Sequence, residues 1–541
     1  MKNLKYYIII SLAMLTLSNC ENNFDPKIYG SFTQSSFPKS KSDYESVIMA
    51  CYLPFTSHWN YTFGNSGYQH TWYSPEGGVM RLFDTTSDIM APWVTGGGSE
   101  WTRFSEADFT NCVNYSRGKY GQNMINHFQT LGEITRMTQI LGVVEDAPEK
   151  DFDATTKKNW EAEVRLCRGL HMYYALHTYG PLPCITDVDK IYSDSALYLM
   201  TRPTLDEAVQ KITDDFEFAV ENMPEKVTEK GRYTKDFARF CLMRHYLNEG
   251  SHVTGYYQKA VDLYTAMKGR YSLYTAGTNP YAEQFASAHK FNSEVIMSIS
   301  VNPEANNATL GNYNANCMYM IPSEASMKAA DNPDFGIMGA CWAQYYNISS
   351  NFYDSFEAND LRAKTITTSY KAKDGATRTK KDFGSKWDGY IINKFKPEVA
   401  GTYQPMDVPM ARWADVLLMF AEAETRANNT VSSEAVTAVN EVRSRAGLAN
   451  LSSDKTATVD AFLSAILNER GHELFFEGCR KIDLIRFNVY AQKCKTFKGY
   501  VPTSQYMPIP NFAVVQAAEH GVNLEQTYSR PGWENDLNLA K

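Results

Sequence analysis

Apolar side chains recur at three- and four-residue steps through six stretches of this 541-residue chain, which commits much of it to amphipathic helices. Across 158–179 the positions Trp160, Val164, Cys167, Leu170 and Tyr174 follow that spacing, and Gly180-Pro181 supplies the stop. His171 and His177 lie six apart in the same stretch, on different faces, and read as core histidines. The stretch 204–223 repeats the pattern and ends at Pro224; 234–250 and 256–268 follow it. Further on, Trp413, Leu417, Phe420 and Ala421 share one face of 411–427, and Ala435, Val439, Val442 and Ala446 share one face of 432–446. The short turn between these last two folds them into an antiparallel pair.

That pair spans 411–446, close to the ~34 residues of a tetratricopeptide (TPR) unit. The repeat is degenerate, so the reading is a set of TPR-like helix pairs and not a regular array. Between the helical blocks lie segments with turn chemistry. Residues 52–110 hold Pro54, Pro75, Pro92 and Gly96-Gly97-Gly98, yet also Trp59, Trp72, Trp93 and Trp101. Eight of the 22 residues in 52–73 are aromatic against 13% for the chain, a local excess that points to a working surface. A second such segment, 302–353, carries Trp342, Tyr345, Tyr346 and Tyr353, with a short strand expected at 294–301. The fold class is mainly α, with long irregular loops and few short strands.

Charge excludes one class of partner. With 53 basic and 61 acidic side chains the net charge is −8, and no basic stripe is available to neutralise phosphates, so no nucleic-acid partner is expected. Ten cysteines are too few for a disulfide scaffold; Cys167, Cys241 and Cys479 read as small core residues. The first residues read as an address. Lys2 and Lys5 precede an apolar run over 6–17 that is too short to span a bilayer at ~20 residues. Leu17-Ser18-Asn19-Cys20 then resembles a bacterial lipobox, with Asn19 less usual there than Gly or Ala. The expected layout is a signal peptide over 1–19, lipid on Cys20, a polar tether over 20–30, and one domain over 31–541. Lipid on Cys20 supplies more than one acyl chain, as stable anchoring requires.

Several segments resemble the SusD/RagB family of Bacteroidetes outer-membrane nutrient-binding lipoproteins. They are EVRLCRGLHMYYALHTYGPLP at 163–183, GRYTKDFARFCLMRHYL at 231–247, RWADVLLMFAEAE at 412–424 and NEVRSRAG at 440–447. The most specific is ERGHELFFEGCRKIDLIRF at 469–487, followed by Tyr506-Met507-Pro508-Ile509-Pro510. The resemblance implies a SusD-like α-helical fold with four TPR-like units, its N-terminal region over about 31–230 and its C-terminal region over 290–541. It implies a loop surface that captures a glycan or a peptide, and a SusC-like TonB-dependent transporter as partner. The implied place is the outer membrane, lipid-anchored and facing outward. The family carries no catalytic motif to transfer, and its ligand residues are loop aromatics that vary among members.

Two sets of residues compete for function. Arg470, Glu473, Glu477 and Arg480 form the densest charged motif; on one continuous helix 473, 477 and 480 would share a face, with Arg470–Glu473 and Glu477–Arg480 as three-spaced pairs. A glycosidase would need two carboxylates about 5–10 Å apart across a sugar. Alternating signs in one stripe favour an ion-pair network between helices instead, and the nucleophile-elbow, Walker, zincin and dinucleotide motifs are absent from the sequence. No enzymatic activity is expected, with a secreted helical glycoside hydrolase or lyase as the rival. Ligand contact falls to Trp72, Tyr73, Trp93, Trp101, Trp342, Tyr345 and Tyr346, because a pyranose offers C–H faces to a ring and hydroxyls to its polar tip. The Asp-rich turns at Asp187/Asp189 and Asp331/Asp334 lack a full calcium loop and read as solvated turns; no cofactor is expected.

Overall fold

The structure is a computed structural model. It describes residues 37–57, 61–62, 68–69, 71–75, 77–91, 100–109, 127–191, 201–302, 314–335, 346–379 and 389–541. The signal peptide, Cys20 and the tether lie outside these. The chain divides into two compact units, Met1–Val47 and Ile48–Lys541. Helix α1 (Lys41–Met49) begins in the first, where the Asp43 carboxylate accepts the Lys39 and Ser40 amides at 3.0 and 2.9 Å.

The second unit is built on helices whose ends obey local chemistry. After α2 (Glu100–Ser105) and α3 (Gly132–Glu145), α4 (Ala154–Tyr179) starts where Asp153 accepts the Thr156 amide at 2.7 Å. It stops at Gly180, whose φ of 79° suits glycine and whose missing Cβ leaves room for the Tyr528 ring. In α5 (Leu205–Asn222), Thr204 and Glu207 form a reciprocal capping box. Thr234 caps α6 (Lys235–Glu249), and α7 (Tyr256–Met267) follows. The C-terminal half holds α8 (Trp413–Asn428), α9 (Ser433–Arg445), α10 (Val459–Leu474), α11 (Arg480–Arg486), α12 (Tyr490–Lys498), α13 (Asn511–Glu519) and α14 (Trp533–Ala540).

Helices α3 to α7 pack each on the next; α7 then packs on α8, which also contacts α9 and α10. Tyr264 closes the α7–α8 crossing by stacking on Phe420 at 3.8 Å. Trp160 and Trp413 are buried in this helical core. The strands are short: β1 (Tyr61–Thr62), β2 (Tyr68–Gln69), β3 (Val295–Ile299), β4 (Asn347–Ser349), β5 (Ile366–Thr367), β6 (Ser369–Lys371), β7 (Thr377–Thr379), β8 (Gly389–Ile392) and β9 (Val408–Arg412). They pair antiparallel as β1–β2, β3–β9, β6–β7 and the three-stranded order β4–β8–β5. The mainly α fold with few short strands holds.

Two local expectations are corrected. Ala411 and Arg412 belong to β9, paired with β3, so the helix starts at Trp413. The stretch 469–487 is also not one helix. Phe476 (φ 59°) and Gly478 (φ 78°) break it between α10 and α11, and a Cβ on Gly478 would lie 2.5 Å from a Val79 methyl. Burying both Phe475 and Phe476 in the core holds the break.

Candidate functional site

The aromatic segment after Thr71 is fastened from below by α4. Trp72 donates its indole N–H to His171 Nδ1 at 2.9 Å and stacks on His127 with ring centres 4.4 Å apart. The His171 proton therefore sits on Nε2. His127 Nε2 lies 2.6 Å from the Gly77 carbonyl and donates to it. Burial holds both imidazoles neutral, lowering His127 to about 4 and His171 to about 3. Tyr73 and Tyr174 share a hydroxyl–hydroxyl bond of 2.6 Å, and the Tyr346 hydroxyl donates to the Pro75 carbonyl at 2.6 Å. Trp72, Tyr73 and Tyr346 are only 1%, 3% and 1% exposed. These three rings are a buried base, which corrects the expectation that they meet ligand: both the ring faces and the polar tips are already used.

Next to Tyr346, three described segments meet at one corner. The Ala91 amide donates to the Asn347 carbonyl at 2.8 Å, and the Ser349 amide donates to the Ile89 carbonyl at 2.9 Å. Gly389 pairs with Ser349, and a Cβ on it would lie 2.4 Å from the Ile348 carbonyl oxygen and 3.0 Å from the Ala91 Cβ. Only glycine lets the segments close this tightly. Trp93 lies two residues beyond Ala91, and Tyr345 directly precedes Tyr346. Trp93, Trp342 and Tyr345 lie outside the described residues. Trp101 belongs to α2, and its side chain also lies outside what is described.

The charged motif is buried beneath the same corner, but its partners differ from those the spacing suggests. Neither Arg470–Glu473 nor Glu477–Arg480 forms: the break at 475–479 interrupts the helix between Glu477 and Arg480, and within α10 Arg470 and Glu473 are each taken by partners on other elements. Arg470 instead bridges Asp415 at 2.7 Å and Asp483 at 2.9 Å. Glu473 is held by Arg412, Arg445 and Arg362, whose guanidiniums outweigh burial and keep its carboxyl well below the usual range. Glu477 takes Lys394 at 2.6 Å and Arg412 at 2.6 Å. Arg480 forks onto Asp88, while Asp84 accepts the Gly478 and Arg480 amides at 2.8 and 3.2 Å. Burial pushes the Asp84 carboxyl up to about 7. Glu473 and Glu477, each held by two or three cations, are arranged as carboxylates that pack helices together.

Sequence reasoning missed Asp84, Asp88, Arg362, Lys394 and His127 as members of this assembly, while His171, read as a core histidine, is fully buried. Glycine at 478 was the one local signal that the helix ends there. Asp331 and Asp187 are engaged internally: Asp331 accepts the Ser326 hydroxyl at 2.6 Å and pairs with Lys371 at 3.0 Å. Asp187 accepts the Asp189 amide at 3.1 Å and pairs with Lys190 at 3.3 Å. Among the described residues no group of three or more His, Cys, Asp or Glu could hold a metal ion, and no helix is long and apolar enough to cross a membrane.

Known proteins share this architecture. The SusD family model matches residues 223–531, and a second, described as starch-binding associating with outer membrane, matches 76–247. A SusD-like protein of Bacteroides ovatus is 25% identical over 426 residues, covering 75% of this chain and 73% of that protein. A solved laminarin-binding SusD-like protein superposes with a TM-score of 0.68 at 20% identity, covering 91% of this chain and 100% of that one. Surface glycan-binding protein A of Bacteroides thetaiotaomicron, in complex with laminarihexaose, superposes with a TM-score of 0.67 at 15% identity and the same coverage. At those identities the solved structures speak for the fold. With the first family model spanning more than half of its length, the chain belongs to the SusD family.

Proposed function

We propose that this protein is a non-catalytic, lipid-anchored cell-surface protein that captures an oligo- or polysaccharide and hands it to a SusC-like TonB-dependent transporter in the outer membrane. The observation that carries the reading is the corner where Ala91, Asn347 and Gly389 meet. In the sequence Trp93 follows Ala91 by two residues, and Trp342 and Tyr345 precede Asn347 by five and two. Solved family members named for laminarin and laminarihexaose support a glycan as the ligand class. Weak capture suits hand-off, because bound ligand has to be released to the transporter. A few rings on an open surface gain ~4–8 kcal/mol, the span from millimolar to micromolar.

Titration calorimetry of the mature protein with laminarihexaose and with malto-oligosaccharides tests this. Alanine at Trp93, Trp101, Trp342 and Tyr345, one at a time, is expected to weaken binding at two or more positions with circular dichroism unchanged. Four folded variants with native affinity would move the site elsewhere. Product release from a polysaccharide would favour a hydrolase or lyase, and binding of oligopeptides without any glycan response would favour peptide capture. Co-purification of a TonB-dependent barrel from outer membranes tests the hand-off.

A further inference from the structure

A cavity of about 700 Å³ opens between the C-terminal end of α3 and the first half of α4. Volumes of ~300–1,000 Å³ accommodate small organic ligands. Its apolar lining comes from Leu141 and Val144 of α3, Phe152 of the connection and Val188 beyond α4. The charged groups around it divide into those the fold uses and those it leaves over. Arg168 forks onto Asp215 with both contacts at 2.8 Å, and Arg165 holds Glu161 at 2.8 Å. Lys157 donates to the Glu145 and Ala147 carbonyls at 2.7 and 2.9 Å.

Glu145, Glu149 and Lys158 also line the cavity and are exposed. Among the described residues, no hydrogen bond or ion pair engages their side chains. Glu145 is the last residue of α3, with Lys157 capping the carbonyls of Glu145 and Ala147 beside it. Asp153, which caps the start of α4, also lines the cavity. Glu145, Glu149 and Lys158 thus leave charges of both signs unpaired beside an apolar wall. A ligand that carries both an ammonium and a carboxylate pairs with both.

We propose that this cavity is a second binding site, for a short zwitterionic peptide. Its ammonium meets Glu145 and Glu149, its carboxylate meets Lys158, and an apolar side chain rests on Val144 and Phe152. The site is distinct from the loop corner. From Lys158 to the Trp72 contact at His171, α4 runs about 20 Å at ~1.5 Å per residue.

Calorimetry of the mature protein with leucyl-leucine, and with the same dipeptide acetylated and amidated, tests the proposal. Free dipeptide is expected to bind between millimolar and micromolar, and blocking both termini to weaken it at least about tenfold. Ala154→Trp, at an exposed lining position, should abolish binding by filling the cavity with the melting temperature unchanged. Glu149→Lys and Lys158→Glu should each weaken it about threefold or more. No binding of free dipeptide at about 10 mM, equal binding of the blocked form, or binding retained in Ala154→Trp would overturn the assignment. Loss of laminarihexaose binding in Ala154→Trp would make the cavity a glycan site and overturn it equally. Native laminarihexaose affinity in that variant keeps the two sites separate.

Discussion

Arg480 grips Asp88, 392 residues before it in the chain, through two parallel hydrogen bonds of 2.8 Å. The carboxylate is fully buried, and the same guanidinium donates Nη1 to the Leu467 carbonyl, midway along α10, at 2.7 Å. One side chain thereby joins the aromatic segment to the C-terminal helices.

Arg480→Met leaves Asp88 buried without its cation, which costs about 3–5 kcal/mol. The melting temperature should fall by several degrees, and Asp88→Leu added to Arg480→Met should recover part of the loss. Thermal melts of the two variants measure this. An unchanged melt with loss of a hydrolytic activity would support a catalytic role for the motif.

Lys481 is buried among rings, with its ammonium 4.5 Å from the centre of Phe109, 5.7 Å from Tyr490 and 5.8 Å from Tyr506. No carboxylate pairs with it among the described residues, and burial lowers its pKa from 10.5 to about 7. A depressed folded pKa means the unfolded chain binds more protons between these values. The stability tied to neutral Lys481 is therefore present above 10.5 and lost as pH falls through about 7. Lys481→Met should raise the melting temperature near neutral pH, with a gain that shrinks toward about pH 10. A gain independent of pH would show that packing alone is responsible.

The core histidines act with the same sign at lower pH. His127, His171 and His245 fall from 6.5 to about 4, 3 and 4 because burial disfavours the charged ring. Their contribution is present above 6.5 and lost as pH falls toward 4. Melting temperature should decline steadily over that interval. His171→Gln, which keeps an acceptor for the Trp72 indole, should flatten the decline; an unaltered slope would shift the acid sensitivity to other groups.

Cys20→Ala should convert the secreted protein from membrane-bound to soluble, since the proposed anchor is lipid on that thiol. Fractionation reads this directly, and membrane-bound variant protein would refute it.

Trp72→Ala should unfold or destabilise the base of the site, by about 3–5 kcal/mol for a buried ring, before it affects ligand affinity specifically. A folded Trp72→Ala protein with native stability and lost glycan binding would return that ring to the ligand surface.

Helix positions were legible because their causes are local. The Thr204–Glu207 box, the Asp153, Thr234 and Ser432 caps and the Gly180-Pro181 stop act within a few residues, as does the apolar spacing between them. The same local logic located the charged motif but not its pairs. Arg412 reaches Glu473 across 61 positions and Arg480 reaches Asp88 across 392, distances at which spacing carries no information. It also misassigned Trp72, Tyr73 and Tyr346, because an aromatic ring reads alike whether a ligand or His171, Tyr174 or Pro75 waits for it. By itself the sequence determined where the chain becomes helical, through contacts a turn or two long. Only the tertiary structure decided which charges neutralise one another, which rings are spent on packing and which segments converge, since each depends on surfaces that meet only when distant segments are buried together.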